Sequence, residues 1–122
     1  MAELIIQETD YCPSIKGGND GVLEIIGKST MENPLLFYAS VHEWLSSVVS
    51  NEVTEISVLI DLTFINSSST KQLLKLLLTA DESDMKFEVK WVYPKDNDFL
   101  KERGEEFAVM LDCPFHYVEK EV

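Results

Sequence analysis

The chain has 122 residues, which is enough for one folded domain but leaves no room for a second hydrophobic core. Hydrophobic residues make up 45% of it, so a packed core is expected and wholesale disorder is not. The net charge is -12, which argues against nucleic acid and anionic membrane surfaces as partners, since both require clustered Lys and Arg. A basic or mixed-charge protein surface suits this charge better.

The two cysteines, Cys12 and Cys113, form no CxxC pair, so they indicate neither a redox motif nor a zinc site. The sequence does not open with a basic segment followed by an apolar run and a cleavage site, as a signal peptide does. No apolar stretch approaches the length that spans a bilayer. We therefore expect a cytoplasmic protein whose thiols are reduced and structural.

Hydrophobic periodicity and turn residues divide the chain into alternating elements. The predicted elements are strands at 4–6, 9–15 and 22–26, a helix at 35–49, a strand at 56–62, a helix at 67–80, a strand at 85–93, a helix from 97 or 98 to 111, and a strand at 115–118. The glycine-rich turn at 17–21 joins strand to strand as a hairpin, so it is not a phosphate-binding loop, which must open a helix. Strands that then alternate with helices imply parallel pairing with right-handed crossovers. We predict a single α/β domain over residues 1–122, with a mixed sheet and helices mainly on one face.

Several local features are predicted along these elements. Gly27 closes the third strand, and Asn33 caps the first helix with Pro34 in its first position. The core face of that helix consists of Phe37, Val41, Trp44, Leu45 and Val48. Gly104 weakens the last helix in mid-course. That helix offers Phe99, Leu100, Phe107, Val109, Met110 and Leu111 for packing.

The central stretch of the chain joins a buried strand to a leucine-rich helix through the polar residues Asn66 to Ser69. In one interpretation these residues only serve the helix: Asn66 shapes the loop, and Ser68 or Ser69 caps the first turn. In the other, a hydroxyl accepts a phosphate, which meets the positive end of the helix dipole and acts as a switch. The pattern of residues leaves both interpretations open.

The leucine-rich helix has an apolar arc wider than a surface helix needs. At about 100° per residue, Leu73, Leu76, Leu77 and Ala80 cluster on one side. Leu74 and Leu78 lie on the flank, beside Lys71 and Lys75. Either the helix is deeply seated in the core, or this flank is part of a docking surface for a partner. In the second case, Leu78→Asp weakens partner binding and leaves the fold intact.

No catalytic constellation is evident in the sequence. No GxSxG motif surrounds the serines, and neither His42 nor His116 lies in a recognisable triad context. No P-loop is present, and His42 has no second ligand in register for a metal. We therefore predict a non-enzymatic protein with no metal site and no cofactor. The alternatives are a small-ligand or nucleotide-binding module, which would bind its ligand near Asn66, and a small hydrolase that depends on one serine.

The residues Asp61-Leu62, Asn66-Ser67-Ser68-Ser69 and Lys71 resemble a pattern of the SiaC-type regulatory phosphoproteins of bacteria. Those proteins are similar in shape to STAS domains and to the SpoIIAA-type anti-sigma-factor antagonists. The resemblance extends to residues 21–29 with Glu32-Asn33 and to Trp91-Val92-Tyr93, so it spans most of the chain. The chain departs from the family in two places. Ser67 stands where the family often has threonine, and Met31 stands where a proline is expected.

The resemblance implies a partner-switching module with a STAS-like fold. A dedicated protein kinase phosphorylates the first hydroxyl residue after the loop asparagine, which here is Ser67, and a PP2C-type phosphatase removes the phosphate. The unmodified form binds and activates a diguanylate cyclase, which links the switch to cyclic di-GMP and biofilm formation. Ser68 and Ser69 are the adjacent hydroxyls, and Lys71 occupies the position of the family lysine. We expect Lys71, Leu74, Lys75 and Leu78 to contribute to the docking surface.

Overall fold

A computed structural model describes residues 3–50 and 53–121; residues 1–2, 51–52 and 122 lie outside the described part. The elements are β1 (Leu4–Ile6), β2 (Ser14–Gly17), β3 (Val22–Ser29), α1 (Leu35–Val49), β4 (Glu55–Ile65), α2 (Ser67–Asp81), β5 (Lys86–Pro94), α3 (Asp98–Met110) and β6 (Phe115–Lys120). This succession of strands and helices is the predicted one.

The strands form one six-stranded sheet in the order β1-β2-β3-β4-β5-β6, so spatial order follows chain order. The pairs β1–β2 and β2–β3 are antiparallel, and the pairs from β3 to β6 are parallel. Each parallel connection moves one strand further in the same direction. Because such crossovers are right-handed, the helices all lie on the same face of the sheet. The prediction of a mixed sheet with helices on one side is confirmed.

The alternation of buried and exposed residues agrees with this arrangement. Along β5, Phe87, Val89, Trp91 and Tyr93 are buried under the helices. Lys86, Glu88 and Lys90 alternate with them and are exposed on the other face. A strand with this period of two has one dry side and one wet side, as the sequence of Met85–Tyr93 predicts.

Two tryptophans anchor the helices to the sheet at positions where the opposing residue is glycine. A Cβ atom at Gly17 would lie 2.7 Å from Nε1 of Trp44, which itself donates a hydrogen bond to the carbonyl of Gly18 at 3.2 Å. A Cβ atom at Gly104 would lie 2.7 Å from the indole of Trp91. The absence of a side chain at Gly104 therefore lets α3 approach β5 closely. The sequence predicted only that this glycine weakens the helix, and not that it is needed for packing.

Several predicted strand boundaries differ from the structure, most clearly those of the second and third strands. The second strand begins at Ser14 rather than near Thr9, because the backbone N–H of Thr9 bonds to the carbonyl of Cys12 in a turn. The third strand does not stop at Gly27. The pairing of β3 with β4 shifts register between Gly27 and Lys28, and the strand continues to Ser29. Gly27 adopts a φ of 129°, which a glycine tolerates within such an irregularity.

Two predictions about the helices were wrong. Asn33 does not cap α1; the N-cap is Pro34, whose carbonyl accepts the first helical hydrogen bond, from Tyr38 N at 3.0 Å. Along α3 and its C-cap Leu111, the buried residues recur at helical spacing as Leu100, Gly104, Phe107 and Leu111. The other predicted packing residues of α3 lie off this stripe and are exposed, namely Phe99, Val109 and Met110.

Candidate functional site

The polar loop between β4 and α2 lies at the carboxyl end of the sheet, where the parallel strands β3, β4 and β5 finish. β4 ends at Ile65, Asn66 is the only loop residue, and α2 begins at Ser67. In open α/β sheets this end is where functional loops collect, because each strand there turns into a helix whose first N–H groups are free. The hydroxyls of Ser67, Ser68 and Ser69 are thereby brought to the first turn of α2.

Asn66 is the N-cap of α2. Its Oδ1 accepts a hydrogen bond from the backbone N–H of Ser69 at 2.9 Å, and its backbone carbonyl accepts from Thr70 N at 2.9 Å. The expectation that Ser68 or Ser69 caps the helix was therefore wrong. The cap is the residue with extended backbone that immediately precedes the helix, and this is Asn66, with ψ at 173°.

The three serines differ in environment. Ser67 is exposed, and its hydroxyl makes no hydrogen bond to any described residue. Ser68 is half-buried, and its Oγ lies 3.0 Å from the carbonyl oxygen of Met31 and 3.3 Å from Asn66 Oδ1. Ser69 is fully buried, and within the described part of the chain its Oγ has no partner. An enzyme that transfers a phosphate needs access to the hydroxyl, and Ser67 offers the most.

The loop is tied to the connector between β3 and α1. The backbone N–H of Asn66 donates to the carbonyl of Ser29 at 3.0 Å, and its Nδ2 donates to the carbonyl of Met31 at 2.9 Å. Below this contact the hydroxyls of Ser29 and Tyr38 are hydrogen-bonded at 2.9 Å. Burial raises the pKa of Tyr38 to about 12, so its hydroxyl stays protonated at neutral pH. The first turn of α2 thus rests on a fixed support.

The residues of this support were not identified from the sequence. Met31 and Ser29 act through their backbone carbonyls. Every residue has such a carbonyl, so the amino-acid type does not indicate this role. Tyr38 did carry a usable signal, because it lies at helical spacing before Val41 and Leu45 on the buried face of α1. Phe37, which was assigned to that face instead, is only half-buried.

The predicted docking residues on α2 divide into two groups. Lys71 and Lys75 are exposed. Leu74 and Leu78 are half-buried and pack against the hydrophobic core, so the helix is seated as deeply as its wide apolar arc indicates. On the neighbouring helix α1, burial lowers the pKa of His42, and the charge of Lys75 lowers it further. The charge of Lys75 on α2 thus acts on the imidazole of His42 on α1.

The remaining titratable side chains do not assemble into a metal site. Within residues 3–50 and 53–121, no group of three His, Cys, Asp or Glu side chains is placed to hold a metal ion. His116 Nε2 lies 3.3 Å from Glu88 Oε2 on the exposed face of the sheet. Lys120 Nζ forms a closer pair with Asp61 Oδ1, at 2.7 Å. The first pair joins the neighbouring strands β5 and β6, and the second reaches from β6 across β5 to β4.

Both cysteines are free and half-buried. Burial, and to a lesser degree the carboxylate of Asp81, raise the pKa of the Cys113 thiol to about 11. A thiol in this state is a weak nucleophile at neutral pH. None of the described helices has the length and apolar character needed to cross a membrane.

Comparison with known proteins identifies relatives over nearly the full chain. The model of a family described as "SiaC family regulatory phosphoprotein" matches residues 6–120. An uncharacterised protein of Pseudomonas aeruginosa is 28% identical over 121 residues, which cover 96% of this chain and 94% of that protein.

Solved structures from Pseudomonas aeruginosa share the fold. SiaC of that organism superimposes with a TM-score of 0.89 at 24% identity, covering 98% of this chain and 100% of that one. A structure described as the diguanylate cyclase SiaD in complex with its activator SiaC gives a TM-score of 0.89 at 25% identity, covering 96% and 99% of the two chains.

Proposed function

The chain belongs to the SiaC family of regulatory phosphoproteins, and we propose that it is a non-enzymatic switch whose phosphate is carried by Ser67. In this proposal a protein kinase adds the phosphate and a PP2C-type phosphatase removes it. The unmodified form binds an effector, for which a diguanylate cyclase is the candidate, because SiaC is an activator of the diguanylate cyclase SiaD in a similar structure. We place the protein in the cytoplasm with these partners.

The observation that carries the assignment of Ser67 is the difference in access among the three serines. Ser67 exposes its hydroxyl, whereas Ser68 is held against Met31 and Ser69 is buried. A kinase must place the γ-phosphate in line with the attacking oxygen, which requires several ångströms of free space around it. The Ser68 hydroxyl would first have to leave its hydrogen bond.

The helix start favours the phosphorylated state. A phosphate adds about -1.5 to -2 charges at neutral pH. At Ser67 it would lie beside the positive end of the α2 dipole, where the backbone N–H groups of Ser67 and Ser68 have no acceptor among the described residues. The cap of Asn66 on Ser69 N can persist beside it. The fold therefore tolerates the modification, and the added negative charge alters the protein surface rather than the core.

We further propose that the outer side of α2 contributes to effector binding. Lys71 lies one turn after Ser67 and is exposed, as is Lys75 one turn later. The half-buried Leu74 and Leu78 border this ridge. Since Leu78 packs on the core, Leu78→Asp would also cost stability, so the sharper variant is the charge reversal Lys71→Glu with Lys75→Glu. We expect it to weaken effector binding without lowering the unfolding temperature by more than a few degrees.

The proposal is tested by site-resolved mass spectrometry of the protein isolated from its native cells, next to the variants Ser67→Ala and Ser68→Ala. We expect phosphate on residue 67 in the wild type and in Ser68→Ala, and none in Ser67→Ala. Phosphate that persists in Ser67→Ala but is lost in Ser68→Ala would move the acceptor to Ser68. No phosphate on this loop under any growth condition would refute the switch.

A further inference from the structure

One face of the six-stranded sheet is covered by none of the described helices, because all of them lie on the opposite face. We call the outward side chains of β2 to β6 on this uncovered side the open face. Apolar residues are present on it: Ile26 is 37% exposed, and Leu59 and Val92 are half-buried. Strands β3 to β6 are parallel, and parallel sheets are almost always packed on both faces. The open face is therefore a candidate for contact with another molecule.

The charges of the open face are nearly balanced, although the chain as a whole has a net charge of -12. Lysines and carboxylates occur on the face in similar numbers: Lys16, Lys86, Lys90 and Lys120 against Glu24, Glu55, Asp61 and Glu88. Three of these carboxylates already have a basic neighbour there, namely Lys86 for Glu55, Lys120 for Asp61 and His116 for Glu88. Within the described part of the chain, Glu24 and Lys90 form no salt bridge. A second copy of this acidic chain would therefore meet little like-charge repulsion on this side.

One row of residues crosses the open face from strand to strand. The strand register places side by side, from β2 to β6, Lys16, Glu24, Leu59, Lys90 and His116. Leu59 is the middle residue of this row. Glu24 and Lys90 flank it at the same distance, about 4.8 Å to either side, because each lies on a strand next to β4. A carboxylate and an ammonium group placed symmetrically about an apolar centre are complementary to a copy of themselves.

We propose that the open face binds a second copy of this chain, face to face, about a two-fold axis that runs along β4. Such an axis brings β3 of each copy over β5 of the other and leaves positions along the strands unchanged. Glu24 of each copy then opposes Lys90 of the other, and the two Leu59 side chains meet at the centre. In the next row the same axis opposes Ile26 and Val92, so apolar contacts accompany the two ion pairs.

The remaining charges of the open face are compatible with this axis. Asp61 meets its own counterpart, but each carboxylate is already paired with Lys120 at 2.7 Å. Lys16 opposes His116 at the edge of the face, where water screens the interaction. An axis placed between β3 and β4 would instead oppose Lys16 and Lys90, which are both cationic. The distribution of charge therefore selects the axis along β4.

The size of the open face indicates a weak and transient dimer. Five strands about 4.8 Å apart, each about 20 Å long, cover roughly 400 Å² in projection. Interfaces of this size are typical of weak complexes rather than of obligate dimers. Because α2 lies on the opposite side of the sheet, the dimer leaves Ser67 of both copies exposed. The assembly is thus divalent, and a partner with two binding sites would be held more tightly by it than by a single copy.

The test is sedimentation velocity of the full chain, at concentrations up to about 1 mM because an interface of this size is weak. The wild type is compared with Glu24→Lys, with Lys90→Glu and with an equimolar mixture of these two variants. We expect each variant alone to weaken self-association at least about tenfold, since it opposes like charges twice across the axis. In the mixture one copy is cationic and the other anionic at both positions, so both ion pairs form again. We expect a heterodimer at least as tight as the wild-type dimer.

Matched controls separate the proposed contact from the effect of net charge. Lys101→Glu and Glu102→Lys make the same changes of charge at exposed positions of α3, on the other side of the sheet, and we expect each to change self-association less than about twofold. A wild type that stays monomeric over the whole concentration range would overturn the dimer. A mixture of Glu24→Lys and Lys90→Glu that associates no more tightly than either variant alone would overturn it as well, and so would controls that weaken association equally.

Discussion

The side-chain amide of Asn66 donates a hydrogen bond to the backbone carbonyl of Met31 at 2.9 Å. The same asparagine caps α2 through its other side-chain atom, so one residue joins the helix start to the connector before α1. A proline is expected at position 31 from the family resemblance. Because the contact uses the carbonyl of residue 31, which proline also has, methionine preserves this tie.

Replacing Asn66 tests how much this joint contributes to stability. Asn66→Ala removes the cap on Ser69 N and the bond to Met31 O, and we expect it to lower the free energy of unfolding by about 1–3 kcal/mol. Urea denaturation followed by tryptophan fluorescence measures the change. Asn33→Ala is the control, because Asn33 does not cap α1 and is exposed. Equal losses in the two variants would contradict the role of Asn66.

Charge at position 67 should be compatible with the fold. Ser67→Glu places a carboxylate in the first turn of α2, where the helix dipole favours it, and we expect the free energy of unfolding to stay constant or rise by about 0.3–1 kcal/mol. Ser68→Glu must instead break the hydrogen bond to Met31 and should destabilise the protein. Thermal unfolding of both variants in low salt compares them. A destabilising Ser67→Glu would argue against a phosphate at this position.

Gly104 provides a test in which the usual helix rule is reversed. Alanine ordinarily stabilises a helix interior relative to glycine by about 1 kcal/mol. Here the added Cβ would lie 2.7 Å from the Trp91 ring, so we expect Gly104→Ala to destabilise the protein by about 1–3 kcal/mol through overpacking. Equilibrium unfolding gives the sign directly. A stabilised variant would show that α3 moves away from β5 at little cost.

His42 predicts a pH dependence of stability. Its pKa in the folded protein is lowered from 6.5, first by burial and then by the charge of Lys75. The unfolded chain therefore binds this proton at a higher pH than the folded one, and stability is lost as pH falls from above 6.5 towards the lowered pKa. We expect the decrease between pH 7.5 and about 5.5 to be smaller in His42→Gln than in the wild type. Identical pH profiles would exclude a contribution from His42.

The order of elements could be predicted because each has its own period. Val89, Trp91 and Tyr93 alternate with charged residues, which specifies a strand with one exposed side, and Leu73, Leu76 and Leu77 specify a helix. These patterns reflect local burial. They required no knowledge of which strand lies beside which.

Features that depend on distant contacts could not be predicted in the same way. Asn and Ser are comparable helix caps, so the choice of Asn66 depended on where β4 ends, at Ile65. The role of Gly104 depends on Trp91, which belongs to another element. The exposure of Ser67 relative to Ser68 depends on the carbonyl of Met31, a partner that the residue types do not reveal. The family resemblance indicated Ser67 as the candidate, whereas its exposure relative to Ser68 became visible only in the packed structure.

The strand order, in which every strand lies beside its predecessor in the chain, also bears on assembly during translation. The chain leaves the ribosome from its N-terminus, so β2 and β3, which pair with each other, are both synthesised before β4. Each later strand then arrives next to a partner that has already been synthesised. No later strand has to insert between two earlier ones. Each newly synthesised strand instead pairs with the edge strand that precedes it in the chain.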